Sequence, residues 1–281
     1  MELQLQEIRD QQKSSWNKFS PGWKKWDYEF MDFLKPIGDN MISQLNLKKT
    51  DHVLDIAAGT GEPALTIALT VEHGKVVITD IADSMLYIAR ENAEKKGLKN
   101  TEFISCDVCE LPFPDNSFNA ISCRLGYMFF PDMQLAAKEM YRVLKPGGRI
   151  VTSVWDTPDK NFWVTAIGET IKRHMQLPAL PAGAPGMFRC AKPDLIKGLF
   201  KESGLINVTV TEVNGKLKCG IAENYWNMMT DIAAPFVAAL SRASDTLRDK
   251  IKSDVLDLVN KRYPHGHVTI DGNSLVIYGE K

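Results

Sequence analysis

The chain has 281 residues, 44% of them apolar and 25% charged, with a formal net charge of -1, the balance of a soluble globular protein with one large domain or a domain carrying an insertion. That charge excludes whole-molecule attraction to nucleic acid or an anionic membrane, and no apolar run approaches the ~20 residues of a bilayer span. The polar start MELQLQEIRDQQKSS lacks the apolar stretch of a signal peptide, and five scattered cysteines suit a reducing compartment, so the chain reads as cytoplasmic.

In chain order, the first signal is a run of tryptophans, Trp16, Trp23 and Trp26, around the triplet Ser20-Pro21-Gly22. Pro-Gly predicts a turn there, which would let residues 15–28 bend as a lid. Phe30, Phe33, Leu34, Ile37, Met41, Ile42 and Leu45 then repeat at helical spacing, giving an amphipathic helix. His52 to Ile56 predicts a first strand, followed by a glycine-bearing loop and a helix from about Pro63 to Val71. Lys75 to Thr79 is a second strand, and Ser84 to Lys96 a helix closed by Gly97. Thr101 to Ser105 and Phe118 to Cys123 are the third and fourth strands. A helix over Gln134 to Leu144, the turn KPGG and a fifth strand, Arg149 to Val154, follow. Alternating strands and helices predict a doubly wound α/β fold with a parallel sheet.

The loop VLDIAAGTGEPA (53–64) sets the functional question. Gly59, Gly61 and Ala64 satisfy the G-x-G-x-x-G/A spacing of a dinucleotide site, and Asp80 lies 21 residues after Gly59. An NAD(P)-dependent oxidoreductase is therefore one reading. Asp55, four residues before the first glycine, opposes it, because a carboxylate repels a pyrophosphate. It suits an ammonium or sulfonium instead. Asp107, at the end of the third strand, can accept from the exocyclic amine of adenine while the next backbone N–H donates to the ring. Three acids at three successive strand ends describe a cationic ligand bearing adenine and ribose, which is S-adenosylmethionine. A non-catalytic module binding that molecule stays open as a third reading. Cys106 and Cys109 form an isolated C-x-x-C with no second pair for a metal, so no metal site is expected.

On these stretches, with VVITDIADSML, CDVCELPFPDNSFNAISCR and VLKPGGRI, residues 53–155 resemble class I S-adenosylmethionine-dependent methyltransferases, in particular the branch containing the quinone-biosynthesis C-methyltransferases. The resemblance implies a Rossmann-like seven-stranded sheet whose last strand runs antiparallel. It also implies that Asp55 organises the methionyl ammonium through water, that the backbone at Ala57 and Gly59 approaches the amino-acid end, and that Gly61 belongs to the cofactor loop. Asp80 would accept the ribose hydroxyls, Ile81 and Met85 sandwich the adenine, and Asp107 and Val108 read its edge. Arg124 would offer its backbone carbonyl to the ammonium, and Trp23 would fill a place held by tyrosine in relatives. Where many relatives carry histidines, this chain reads Tyr127-Met128-Phe129, so no catalytic residue is assigned.

The implied core leaves a helical cap. The expected division is a lid and helix at 1–45, a cofactor core at 46–155, a cap insertion at 156–191, a core helix and strand at 192–213, a second cap at 214–266 and a final strand at 267–281. The expected late strands are Asn207 to Val213 and Ser274 to Tyr278. The cap is rich in aromatics, which points to a small, largely apolar methyl acceptor rather than nucleic acid or protein. Tyr127, Met128, Trp155, His174 and Trp226 are the candidates for its pocket. The oligomeric state has no sequence signature.

Overall fold

The computed structural model describes residues 2–176 and 183–281. Seven strands form one sheet in the order β3-β2-β1-β4-β5-β7-β6: β1 (His52–Ile56), β2 (Lys75–Asp80), β3 (Thr101–Ser105), β4 (Phe118–Arg124), β5 (Leu144–Trp155), β6 (Ile206–Gly220) and β7 (Val268–Glu280). The first five are mutually parallel, and β7 runs antiparallel between β5 and β6. The expected doubly wound sheet with an antiparallel last strand is the observed one. Strand order reverses at β1, which has β2 on one side and β4 on the other. In such sheets that reversal opens a crevice at the carboxyl ends of the strands.

Helices cover both faces: α1 (Glu2–Lys25), α2 (Asp27–Leu45), α3 (Ala64–Thr70), α4 (Asp83–Lys95), α5 (Met133–Val143), α6 (Phe162–His174), α7 (Pro193–Glu202), α8 (Ala222–Ile232), α9 (Ala234–Leu240) and α10 (Asp245–Arg262). No helix among the described residues is long and apolar enough to cross a membrane. The apolar stripe of α2 is buried as its spacing predicts, Phe33, Ile37 and Met41 completely. Continuous apolar runs in β1, β2 and β4 are buried on both faces, as central parallel strands must be.

Three local expectations change. KPGG is part of β5 rather than a turn before it: the pairing jumps from Phe118–Leu144 to Ala120–Arg149, and Gly147 takes a positive φ of 75°. That is a bulge, which the glycine permits. The β6–β7 pairing runs well beyond Val213 and Ser274, so the stretch read as the start of a helical cap begins as a continuation of the antiparallel strand pair. In its extension Gly215 and Gly272 pair, and both face Phe33 of α2. A Cβ on Gly215 would lie 2.2 Å from the Phe33 carbonyl oxygen, and one on Gly272 would lie 2.5 Å from its ring. Two bare backbones let the helix and the strand pair close on one another.

The third change is at Ser20-Pro21-Gly22, where α1 continues without a turn. Proline cannot donate to the carbonyl four residues back, which is that of Asn17. The Ser20 hydroxyl donates to that oxygen at 3.0 Å instead. Gly22 serves a helix crossing: a Cβ there would lie 2.2 Å from the Asp231 carbonyl oxygen on α8. The helical run is interrupted at Trp26, between α1 and α2.

Candidate functional site

A cavity lies at the carboxyl ends of β1 to β4, with an empty volume of about 1030 Å³ including the part open to solvent. Its floor is the loop after β1. Gly59 there has φ of 56° with open space where a Cβ would point, the left-handed conformation glycine adopts without strain. Gly126, after β4, is close enough to Ala57 that a Cβ would fall 2.5 Å from the alanine methyl. The loop after β4 therefore lays its bare backbone on the Ala57 methyl of the loop after β1.

The three strand-end acids differ in environment. Asp55 is fully buried; the Ser122 hydroxyl donates to its Oδ1, while Oδ2 has no partner. Burial pushes its carboxyl up to about 7, against the opposing Ser122 hydrogen bond and the Arg124 charge. Asp80 closes β2 and ties two loops: Gly59 N–H donates to Oδ2 and Ala82 N–H to Oδ1, each at 2.9 Å. Burial raises its pKa, with those amides opposing. Asp107 accepts from Cys109 N–H at 2.9 Å, capping the single 3-10 turn Val108–Glu110, and its other oxygen is ion-paired with Arg9 of α1.

Ala57, Gly59, Asp80, Ile81, Met85, Asp107, Val108, Arg124 and Trp23 all line the cavity. Two of the expected residues do not. Asp55 lies beneath the floor, consistent with contact through water. Gly61 is turned into the helix packing, where a Cβ would lie 2.9 Å from Leu65. The cysteine pair is unsuited to redox work, because burial pushes Cys106 up to about 11 and Cys109 up to about 12.

The five candidates for an acceptor pocket are not brought together at this cavity. Tyr127 and Met128 are completely buried, and the Tyr127 hydroxyl donates to the Met133 carbonyl at 2.7 Å. Trp155 stacks on Phe33 with centroids 5.7 Å apart. Trp226 is buried in α8, and His174 Nε2 meets Asp254 Oδ2 at 2.6 Å between α6 and α10. The 3-10 turn Tyr127–Phe129 points its first two side chains into the core and Phe129 into the cavity, where Phe130 joins it. A third-residue alternation could have singled out Phe129.

Met31 on α2 and Leu125 after β4 were missed too, and the largest missed group is on α1. Arg9, Gln12 and Trp16 line the cavity beside Trp23, with Trp16 edge-on to Phe129 at 5.3 Å. Asn17 Oδ1 accepts from Ser84 N–H at the start of α4 at 3.0 Å. The helix thus crosses the cavity from Asp107 to the start of α4. The start of the chain reads as a featureless polar stretch, and the every-third-or-fourth spacing of Arg9, Gln12, Trp16 and Trp23 was its only signal.

Residues 35–166 match the model of the ubiE/COQ5 methyltransferase family. The demethylmenaquinone methyltransferase of Thermus thermophilus is 42% identical over 113 residues, which cover 40% of this chain and 51% of that one. Protein Rv1403c of Mycobacterium tuberculosis is 32% identical over 182 residues, 64% of each chain. The chain spans about half the length of the first curated relatives it matches. Among solved structures, the YcgJ protein from Bacillus subtilis superposes with a TM-score of 0.59 at 23% identity, over 87% of this chain and 97% of that one, so the two share a fold. Glycine loop, strand-end acids and family match all fall in one stretch: residues 35–166 are similar to the ubiE/COQ5 methyltransferase family, within a longer chain whose first helix also lines the cavity.

Proposed function

We propose that the chain is an S-adenosylmethionine-dependent methyltransferase acting on a small, largely apolar acceptor. The observation that carries the reading is the set of three carboxylates, Asp55, Asp80 and Asp107, at successive strand ends around one cavity roofed by aromatic side chains.

The residues fit the cofactor through groups that lack partners. Asp55 Oδ2 is a buried acceptor with nothing to accept from, and Trp23 Nε1 is a buried donor with nothing to donate to; such orphans are costly unless a ligand or water meets them. Asp55 would take the ammonium through water, Asp80 the ribose hydroxyls, and Asp107 with the Val108 backbone the adenine edge, with Ile81 and Met85 against its faces. Bound there, the cofactor supplies a methyl group already activated by its sulfonium.

The chain's own part is alignment and exclusion of water. Displacement needs the acceptor held in line, ~3–3.5 Å from the methyl. Trp16, Phe129, Phe130, Met31 and Leu125 form a mostly apolar wall that can hold a flat, weakly polar molecule and keep water away. No histidine lines that wall. The Tyr127 hydroxyl is committed to Met133, and burial raises its pKa well above the ordinary value. The acceptor suited to this wall is therefore nucleophilic without a histidine base. The Thermus relative's name supports a quinol-like aromatic as the acceptor class.

Calorimetry tests the cofactor half. S-adenosylhomocysteine is expected to bind at roughly micromolar affinity or better, about -8 kcal/mol, and NAD weakly. Tight NAD binding with no S-adenosylhomocysteine binding overturns the reading. For the acceptor half, formation of S-adenosylhomocysteine is measured with reduced quinols, with a peptide mixture and with RNA; turnover confined to peptides or RNA would remove the small apolar acceptor.

A further inference from the structure

We infer that the side chain of Arg124 is the carboxylate-recognition point of the site and holds the carboxylate of the ligand's amino-acid end; the inference rests on the proposed cofactor. Arg124 ends β4, and its guanidinium stands between the cavity already described and a second one bounded by α2, α3 and α4. Met31 and Glu62 also border both cavities.

A guanidinium carries five N–H donors and is seldom buried without a carboxylate or phosphate. Here its one hydrogen bond among the described residues runs from Nη2 to the thioether of Met31 at 3.1 Å, and a thioether is a weak acceptor. Three acids are near enough to act on it through space, yet each is engaged elsewhere. Asp27 accepts from the Thr60 hydroxyl at 2.5 Å and faces Asn92 Nδ2 at 3.4 Å. Glu62 accepts from Thr66 N–H and hydroxyl and meets Lys96 at 3.4 Å. Asp55 is bonded by Ser122. Burial lowers the Arg124 pKa even though Glu62, Asp55 and Asp27 oppose the shift. The cation is thus held near acids without being paired to any of them.

Register places this cation beside the ammonium position. Asp55 pairs with Ser122 across β1 and β4, and Arg124 is two residues beyond Ser122, on the same face of the strand. An orphaned acceptor, Asp55 Oδ2, and an under-used donor fork, Arg124, therefore stand one pleat apart. That pair is complementary to a zwitterion: the ammonium faces Asp55 through water, and the carboxylate takes the fork, whose geometry matches it in bidentate fashion.

The test titrates the full chain with three ligands: S-adenosylhomocysteine, its decarboxylated analogue S-adenosyl-3-thiopropylamine, and 5′-methylthioadenosine, which lacks the whole amino-acid end. The unaltered protein is expected to prefer S-adenosylhomocysteine over the decarboxylated analogue by at least about tenfold, the size of a charge-assisted bidentate contact. Arg124→Met is expected to lose that preference and to keep the affinity for 5′-methylthioadenosine, which also reports that the adenosine half of the site is folded. Arg124→Lys, with charge but no fork, should retain a reduced preference. No preference in the unaltered protein, or a full preference surviving in Arg124→Met, overturns the assignment. Should Arg124→Met fail to fold, an undiminished preference in Arg124→Lys overturns it equally. Failure of the unaltered protein to bind any of the three ligands would instead remove the proposed cofactor.

Discussion

On the proposed reading, Asp55 would couple the sheet to the ligand through a proton. Its folded-state carboxyl is raised to about 7, chiefly by burial, from an ordinary value of 3.8. A carboxyl raised on folding contributes stability that is complete below the unfolded pKa and is lost as pH rises through the folded one. The free protein is therefore expected to lose stability between about pH 4 and pH 7, at a slope of at most about 1.4 kcal/mol per unit. A cationic ammonium near Asp55 favours the ionised form, so binding should release a proton below neutrality. S-adenosylhomocysteine affinity should rise by roughly tenfold from pH 6 to pH 8, and Asp55→Asn should flatten the dependence. Calorimetry in buffers of differing ionisation heat reads the proton directly; a flat profile with no proton exchange would show Asp55 uncoupled from the ligand. At this scale the sequence was a good guide to position and a poor one to partners. The spacing of Asp80 placed it at a strand end, but nothing in that spacing showed that its oxygens already hold the amides of Gly59 and Ala82.

At the scale of elements, α1 is the part the sequence described least well, and the reason is physical. Pro21-Gly22 is a turn signal only if the backbone loses its hydrogen bond there, and Ser20 replaces that bond from the side chain. A lid built on this segment is a whole helix, interrupted at Trp26, rather than a loop bending at proline. Beside the aromatic contacts of Trp16 and Trp23, its ion pairs are mostly exposed: Lys13–Asp83, Lys24–Glu91 and Lys25–Asp231 are largely exposed pairs, and Arg9–Asp107 is the most sheltered. Among its described side chains only Ser20 is buried. Exposed pairs contribute about 0–1 kcal/mol each and weaken with salt. Amide exchange in residues 2–25 is therefore expected to be faster than in α2, to speed up between low and high salt, and to slow by about tenfold or more when S-adenosylhomocysteine is bound. Exchange equally slow with and without the ligand would make α1 permanent scaffold.

Across the whole molecule, the alternation of strands and helices made the parallel half of the sheet legible, because buried parallel strands must be apolar throughout and their ends must turn. The β6–β7 extension was not, since its pairing depends on Phe33 of α2 fitting over two facing glycines, a tertiary fact with no local trace. The wall proposed for the acceptor was missed for a similar reason: a 3-10 turn decides that Phe129, and not Tyr127, faces the cavity. The same architecture separates folding from binding. The core and the α2 stripe are continuous without α1, which supplies Arg9, Gln12, Trp16 and Trp23 to the cavity and little to the buried core. Removing residues 2–25 is thus expected to leave a cooperatively unfolding protein, its midpoint lowered by only a few degrees, as a loss of about 1–2 kcal/mol would do in a domain this large. The same deletion should weaken S-adenosylhomocysteine by at least about tenfold, through the lost cover over adenine and the lost Trp23 contact. Circular dichroism melting and calorimetry on the shortened chain measure the two halves separately. A chain that no longer folds would show α1 to be part of the core, and one that binds as tightly as before would show that the helix covers the cavity without serving it.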